Sequence, residues 1–473
     1  MPPAINRDQL ELRSVTELIS LVRQLMDRVD ALEAQNASLN EQLRATKRAT
    51  APFSKGKGSA APKKPGRKAG QGRFERRAQP EPGPVDKVED LHAPLDSPDC
   101  PQCGARLEVK EEMATVEDTP PQPARIIQRF LVEQGRCPVC GWSGRGRHEG
   151  LAVGQHGATA HRTGPQVMAQ ALTLHYHYGL PLCKVPAVIK AATGITLTQS
   201  ALTQTAGALC AQGGVIHTAY QELREAVQTS PVVNTDDTGW RIGGAGAFLM
   251  GFFTPILAVF QIRWRHRHQE VVEMLSAFFA GLLGTDRGST YEAEVFDEIE
   301  QQKCLSHLLK NLSVVEEART GRAQAFTREL KATLREAIHL WHEYRGGACS
   351  LEEYQERGQI IRQKLNRQLR DRKLKDADHQ RLLDGIGRQH DRGRVLLFLE
   401  HPEIEPTNNR AERGLRGAVI ARKVSHCSKN ERGARTYEAM KSVTATLALR
   451  GHQVSSALAG LITGNPMPQA VSR

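Results

Sequence analysis

No run of ~18 or more apolar residues, the length a membrane-spanning helix needs, occurs in this chain. Its first residues also lack the charged-then-apolar layout of a secretory signal. The expectation is a soluble cytoplasmic protein, associated with the nucleoid if bacterial, with no membrane partner. Acidic residues are in deficit: 52 Asp and Glu face 64 Lys and Arg, a formal charge of +12 and a pI near 9.3. Such a balance favours a polyanionic partner, nucleic acid before anionic lipid, because clustered cations displace counterions from phosphates. The nine cysteines are an odd number and include two Cys-x-x-Cys pairs. In a reducing compartment that spacing points to metal ligation before disulfides. At 473 residues the chain exceeds the ~250 to 300 residues of a single core, so two to four domains are expected.

Residues 1–49 read as a dimerising coiled-coil helix. Val15, Leu18, Val22, Leu25, Val29, Leu32, Leu39 and Leu43 recur at spacings of three and four, and Asn36 stands where a polar residue fixes register between two parallel strands. The alternative is an amphipathic helix packed on its own protein. Residues 50–95 read as a basic flexible arm. Between 44 and 79 twelve Lys or Arg, among them Lys55, Lys57, Lys63, Lys64, Arg67 and Lys68, meet one acid, Glu75. Such a segment has too little apolar surface to fold alone and can track phosphates, or act only as a solvated linker.

Residues 96–150 carry two similar knuckles, Cys100-Pro-Gln-Cys103-Gly and Cys137-Pro-Val-Cys140-Gly. Four thiolates at ~2.3 Å close a tetrahedral site, so a structural zinc ribbon is expected, with glycine after each pair easing the tight turn. Residues 151–229 read as a helical domain containing a helix-turn-helix: Val185 to Ala192, a Thr193-Gly194 turn, then a second helix from Thr198 to about Gln212. Thr198, Gln199, Ser200 and Gln204 would face a DNA groove; a plain helical hairpin is the alternative.

From Val232 the period becomes extended. Strands are expected at Val232–Asp236, Phe248–Phe253 and Ile256–Trp264, then a helix at Gln269–Ala280, a strand at Gly281–Thr285 and a helix from Tyr291 to about Glu300. This β-β-β-α-β-α order is that of a ribonuclease-H-like core, a mixed sheet flanked by helices, here assigned to residues 230–313. In that topology Asp236 on the first strand and Asp286 at the end of the fourth are neighbours. Paired carboxylates suit two hard cations, magnesium or manganese, ~3.5 to 4 Å apart in phosphodiester chemistry. Residues 314–399 read as a helical insertion, 400–450 as the last part of the core and 451–473 as a C-terminal tail.

Taken together, Asn234-Thr-Asp-Asp-Thr-Gly-Trp240, Gly284-Thr-Asp286, Cys304-Leu-Ser-His307 and Pro406-Thr-Asn-Asn-Arg-Ala-Glu-Arg-Gly-Leu-Arg416 resemble the IS-sixty-six family of insertion-sequence transposases. The paired Cys knuckles and the basic arm resemble that family's N-terminal half. The resemblance implies an enzyme that binds transposon ends and target DNA and performs 3′-end cleavage and strand transfer by a DDE mechanism. Its metal ligands would be Asp236, Asp286 and Glu412, with two magnesium ions per active site. A homodimer or larger assembly and element-encoded helper proteins are the expected partners. A catalytically inactive transposase-derived DNA-binding regulator, and a non-transposing nuclease on the same fold, are the other readings.

Individual residues keep alternatives open. Asp237 rivals Asp236, since strand alternation sends adjacent side chains to opposite faces. Glu412 could instead cap its helix by reaching back to Asn409. Asn408 and Arg416 are placed to orient Glu412 or meet phosphate, and Arg287 brings a positive charge beside Asp286. Cys304 and His307 have the spacing of half a zinc knuckle without a second pair nearby, so His307 either supports the site or is a core histidine.

Overall fold

The structure, a computed structural model, describes residues 20, 22–33, 98–99, 101–106, 125–146, 162–318, 323–370, 374–375, 377–425 and 427–471. The chain divides into two compact units, 1–119 and 120–473. In the first, residues 22–33 form a helix (α1). Val22, Leu25, Val29 and Leu32 on it are exposed, as are its other residues. Cys103 lies in a turn closed by Gly104 at φ +73°. The rest of the seam, the basic arm with Lys55, Lys57, Lys63, Lys64, Arg67 and Lys68, and Cys100 lie outside the described residues.

The second unit begins with a small hairpin, β1 (Gln134–Arg136) and β2 (Ser143–Arg145). Between them Cys137–Cys140 make a tight turn in which the Gly141 amide donates to the Cys137 carbonyl at 3.0 Å, with Gly141 at φ +75°. Four helices follow: α2 (Pro165–Tyr176), α3 (Val185–Thr193), α4 (Gln199–Leu209) and α5 (Val215–Gln228). The second helix of the expected pair is shorter than read from sequence. It starts where its cap dictates, with the Thr198 hydroxyl accepting the Ala201 amide at 3.1 Å, and it ends at Leu209.

Five strands build the central mixed sheet: β3 (Val232–Ile242), β4 (Ala245–Phe253), β5 (Ala258–Arg263), β6 (Leu282–Thr285) and β7 (Gln301–Lys303), in the order β5-β4-β3-β6-β7. The first three are antiparallel, while β6 and β7 run parallel to β3. α6 (His268–Leu275) joins β5 to β6. Between β6 and β7 the structure departs from expectation. The helix read at Tyr291–Glu300 is replaced by two short 3-10 turns, Ser289–Glu292 and Glu294–Phe296, and then by β7. Ala293 between them is extended, at φ −67° and ψ 143°, which lets Tyr291 and Phe296 both point inward. Glu292 reaches the fully buried Lys303 at 2.8 Å.

A helical segment follows, with α7 (Leu305–Glu317), α8 (Ala323–Arg345), α9 (Leu351–Leu369) and α10 (Ala377–Asp391). These helices enclose their own apolar core, including Leu308, Leu330, Leu334, Tyr354, Leu365 and Leu383. The chain then returns to the sheet as α11 (Asn409–Ser425), α12 (Glu431–Leu449) and α13 (Val454–Ile462). One continuous core joins α2–α5, the sheet and α11–α13.

Edge strand β5 would leave three buried amides unpaired, each costing about 1–3 kcal/mol. α12 meets them: Glu438 accepts from Ile262 at 2.7 Å, Ser442 from Phe260 at 2.8 Å and Thr446 from Ala258 at 3.1 Å. The match is metric, since four helical residues rise about 6 Å and two strand residues about 6.6 Å. Burial pushes the Glu438 carboxyl up to about 7, opposed by the Arg263 guanidinium 3.1 Å away.

Candidate active site

Parallel pairing of β3 with β6 ends at Asn234 opposite Gly284. Asp236 and Asp286 each stand two residues further on, level with one another, Asp236 in the middle of β3 and Asp286 just past the end of β6. Asp236 Oδ1 accepts the Asp237 amide at 2.9 Å, and Asp286 Oδ1 accepts the Gly288 amide at 2.8 Å. Burial pushes the Asp236 carboxyl up to about 7. The Asp237 amide opposes this, and the negative charges of Asp286, Asp237 and Glu412 add to it. Asp286, which follows β6, and Glu412 of α11 thus both lie within electrostatic reach of Asp236 on β3. Asp237 has a different neighbour, His266, whose Nδ1 lies 3.2 Å from its carboxylate. Burial raises its pKa and His266 opposes the rise.

Glu412 comes to this place from more than a hundred residues downstream because the backbone is stitched across the gap. Cys304 N–H donates to Thr285 O at 2.8 Å, Leu305 N–H to Pro406 O at 3.0 Å, and Asn408 N–H to Cys304 Sγ at 3.2 Å. The buried Asn408 side chain closes the seam, donating to Thr235 O at 2.8 Å and accepting from Asn234 Nδ2 at 3.1 Å. Gly284 makes room for that asparagine pair, since a Cβ there would lie 2.3 Å from Asn234 Nδ2. α11 then packs on β3 and β4, and a Cβ at Gly414 would lie 2.2 Å from the Phe253 ring. Helix α11 begins at Asn409, and the Glu412 amide donates to Asn408 O at 3.1 Å. The register for Glu412 to cap Asn409 is therefore off by one, and its carboxylate instead faces His307, with Oε1 4.0 Å from Nε2.

The model of the family described as "Transposase IS66 family" matches residues 161–436, which is more than half of the chain. The chain belongs to this family. No curated protein matches it. DNA is the substrate that membership in a transposase family implies.

The matched span of this transposase contains β3, β6, Cys304, His307 and Glu412. Arg416 is exposed one turn beyond Glu412 on α11. The Arg287 guanidinium approaches Gly385 of α10, where a Cβ would lie 4.0 Å from it; burial lowers its pKa and Asp286 opposes this. Thr198, Gln199, Ser200 and Gln204 are all exposed on or beside α4. The Cys137 thiol is held below its ordinary range by hydrogen bonds from the Cys140 and Val139 amides and the Cys140 side chain, a turn suited to thiolate. Among the described residues no helix is long and apolar enough to cross a membrane.

Three participants escaped the sequence reading. Asn234 belonged to a quoted motif, yet its pairing with Asn408 spans 174 positions. His266 lay in an Arg-His-Arg-His run with nothing to single it out. Lys303 is fully buried among Glu292, Thr285 and Gln301, with no sequence feature to single it out.

Proposed function

We propose that this transposase cuts DNA at its element's ends and joins the freed 3′ ends to target DNA, using a DDE site on a ribonuclease-H-like sheet. The observation that carries the reading is the placement of Asp236 and Asp286 level with one another on adjacent parallel strands, two residues past the Asn234–Gly284 pair, with Glu412 close enough to add its charge at Asp236. A half-buried carboxylate beside other carboxylates is disfavoured until a cation joins it. All the donors offered by Asp236, Asp286 and Glu412 are carboxylate oxygens, which suit magnesium or manganese and not softer metals. Two such ions, when bound, supply charge stabilisation to the attacking and leaving oxygens of an in-line displacement.

The protein's own groups do the rest. Asp236 and Asp286 hold their side of the site from the adjacent strands β3 and β6. Asn408 fixes the start of α11, and with it the reach of Glu412. Arg416 and His307 stand where they can meet the phosphate of the bound strand. Water attacks the end phosphodiester, and the 3′-hydroxyl then attacks the target, so no covalent protein intermediate forms. The basic arm with Lys55, Lys57, Lys63, Lys64, Arg67 and Lys68 tracks phosphates, while Thr198, Gln199, Ser200 and Gln204 offer side chains to a groove. The seam of α1 brings two copies together, and the cysteine knuckles hold structural zinc.

The test is Asp236→Asn: magnesium-dependent cleavage of element-end DNA is lost while binding of that DNA is retained. Undiminished cleavage by the variant would refute the assignment.

A further inference from the structure

Cys304, His307 and Glu412 converge in a way that the cleavage reaction does not require. Cys304 immediately precedes α7 and His307 sits in its first turn, a three-residue spacing that puts both on one side of the helix. Glu412 arrives from the first turn of α11. One ligand atom of each lies within 4.8 Å of the other two, and His307 Nε2 is 4.0 Å from Glu412 Oε1. A tetrahedral zinc ion with bonds of ~2.0 to 2.3 Å separates its ligands by roughly 3.3 to 3.8 Å, so side-chain movements of about an ångström close the set. A satisfied core histidine would bond through its ring nitrogens, yet the buried Nδ1 of His307 has no hydrogen-bond partner. The Cys304 sulfur already accepts the Asn408 amide at 3.2 Å, a contact that strengthens as sulfur becomes thiolate. The His307 and Glu412 side chains are 41% and 39% exposed, which leaves a path for an ion and for water as a fourth ligand.

We propose that Cys304, His307 and Glu412 form a second metal site, for zinc or a divalent ion of similar softness, that draws the Glu412 carboxylate away from its catalytic partners. One thiolate and one imidazole select this class of ion over magnesium. Zinc binding stands on the geometry alone. The consequence, inhibition of cleavage by zinc, rests on the magnesium reading of Glu412 above.

The experiment uses the full chain, stripped with a chelator and titrated with zinc against a chromogenic competitor. Cys304→Ser and His307→Ala are compared with wild type and with Cys137→Ser, which reports the knuckle zinc separately. Each of the first two loses one zinc equivalent, or weakens that equivalent at least tenfold, and keeps the equivalent that Cys137→Ser removes. Cobalt-loaded Cys304→Ser also loses part of the thiolate charge-transfer absorption. Unchanged zinc stoichiometry and affinity in both variants overturns the site. His307→Ala, at a half-exposed position, keeps the test decisive if the buried serine impairs folding. In the second arm, micromolar zinc slows magnesium-dependent cleavage by wild type at least tenfold, and the ratio of rates with and without zinc approaches one in Cys304→Ser. Equal ratios in the two proteins overturn the competition. Loss of the zinc equivalent in a protein whose cleavage needs no divalent ion would refute the proposed mechanism while leaving the zinc site standing.

Discussion

Replacing Asp236 by asparagine should stabilise the metal-free protein at neutral and alkaline pH. Burial, with the neighbouring acids adding to it, pushes its carboxyl up to about 7 from an ordinary 3.8. Each tenfold change in proton affinity is worth about 1.36 kcal/mol, so the displacement corresponds to at most about 4 kcal/mol. The residue is only half-buried, and solvent relaxation brings the expected effect to about 2 kcal/mol. The sign follows from linkage. A raised folded-state pKa means that the native state holds the proton more tightly, so this contribution is fully present below about 3.8 and is lost as pH rises to about 7. Asparagine carries no proton to lose. Denaturant unfolding in chelator should therefore show Asp236→Asn more stable than wild type at pH 8, with the difference vanishing by pH 4. Magnesium should reverse the order at pH 8, because it binds and stabilises only the intact acid set. Identical pH profiles for the two proteins between pH 4 and 8 would refute the raised Asp236 carboxyl.

Other substitutions probe the supports. Asp237→Asn should retain most of the metal-dependent cleavage that Asp236→Asn abolishes, since Asp237 faces His266; parallel nicking assays decide between the neighbours. Asn408→Ala strips the buried bonds to Asn234 and Thr235 and should cost about 2–3 kcal/mol in denaturant unfolding, with cleavage falling alongside. Gly414→Ala places a methyl against the Phe253 ring and should destabilise by about 1–3 kcal/mol, partly recovered by adding Phe253→Leu. Ser442→Ala leaves the Phe260 amide without its acceptor, at about 1–3 kcal/mol, and hydrogen exchange at that amide should quicken.

Much of the sheet was legible because β4 and β5 are apolar and punctuated by short turns and β6 is a compact buried run just before Asp286, whereas β3 continues through polar residues to Ile242, beyond the expected end at Asp236. Periodicity failed between Tyr291 and Lys303. The polar triplet Gln301-Gln302-Lys303 is a buried strand whose side chains find partners supplied by distant segments. Gln302, for example, donates to Val395 O at 2.9 Å. No local pattern announces such burial. Glu412 came from resemblance alone, because the bonds that carry α11 to β3 run through Cys304, Pro406 and Asn408 across a long helical segment. The preference for Asp236 over Asp237 came from the same resemblance, since strand alternation says that the two side chains diverge but not which one meets Glu412.

The most direct measurement is the anomalous scattering of manganese in crystals of the full chain bound to element-end DNA. Manganese peaks within about 2.2 Å of carboxylate oxygens of Asp236, Asp286 and Glu412 are the expected result. Manganese bound elsewhere, with these three carboxylates free of metal beside the scissile phosphate, would contradict the proposed catalytic site.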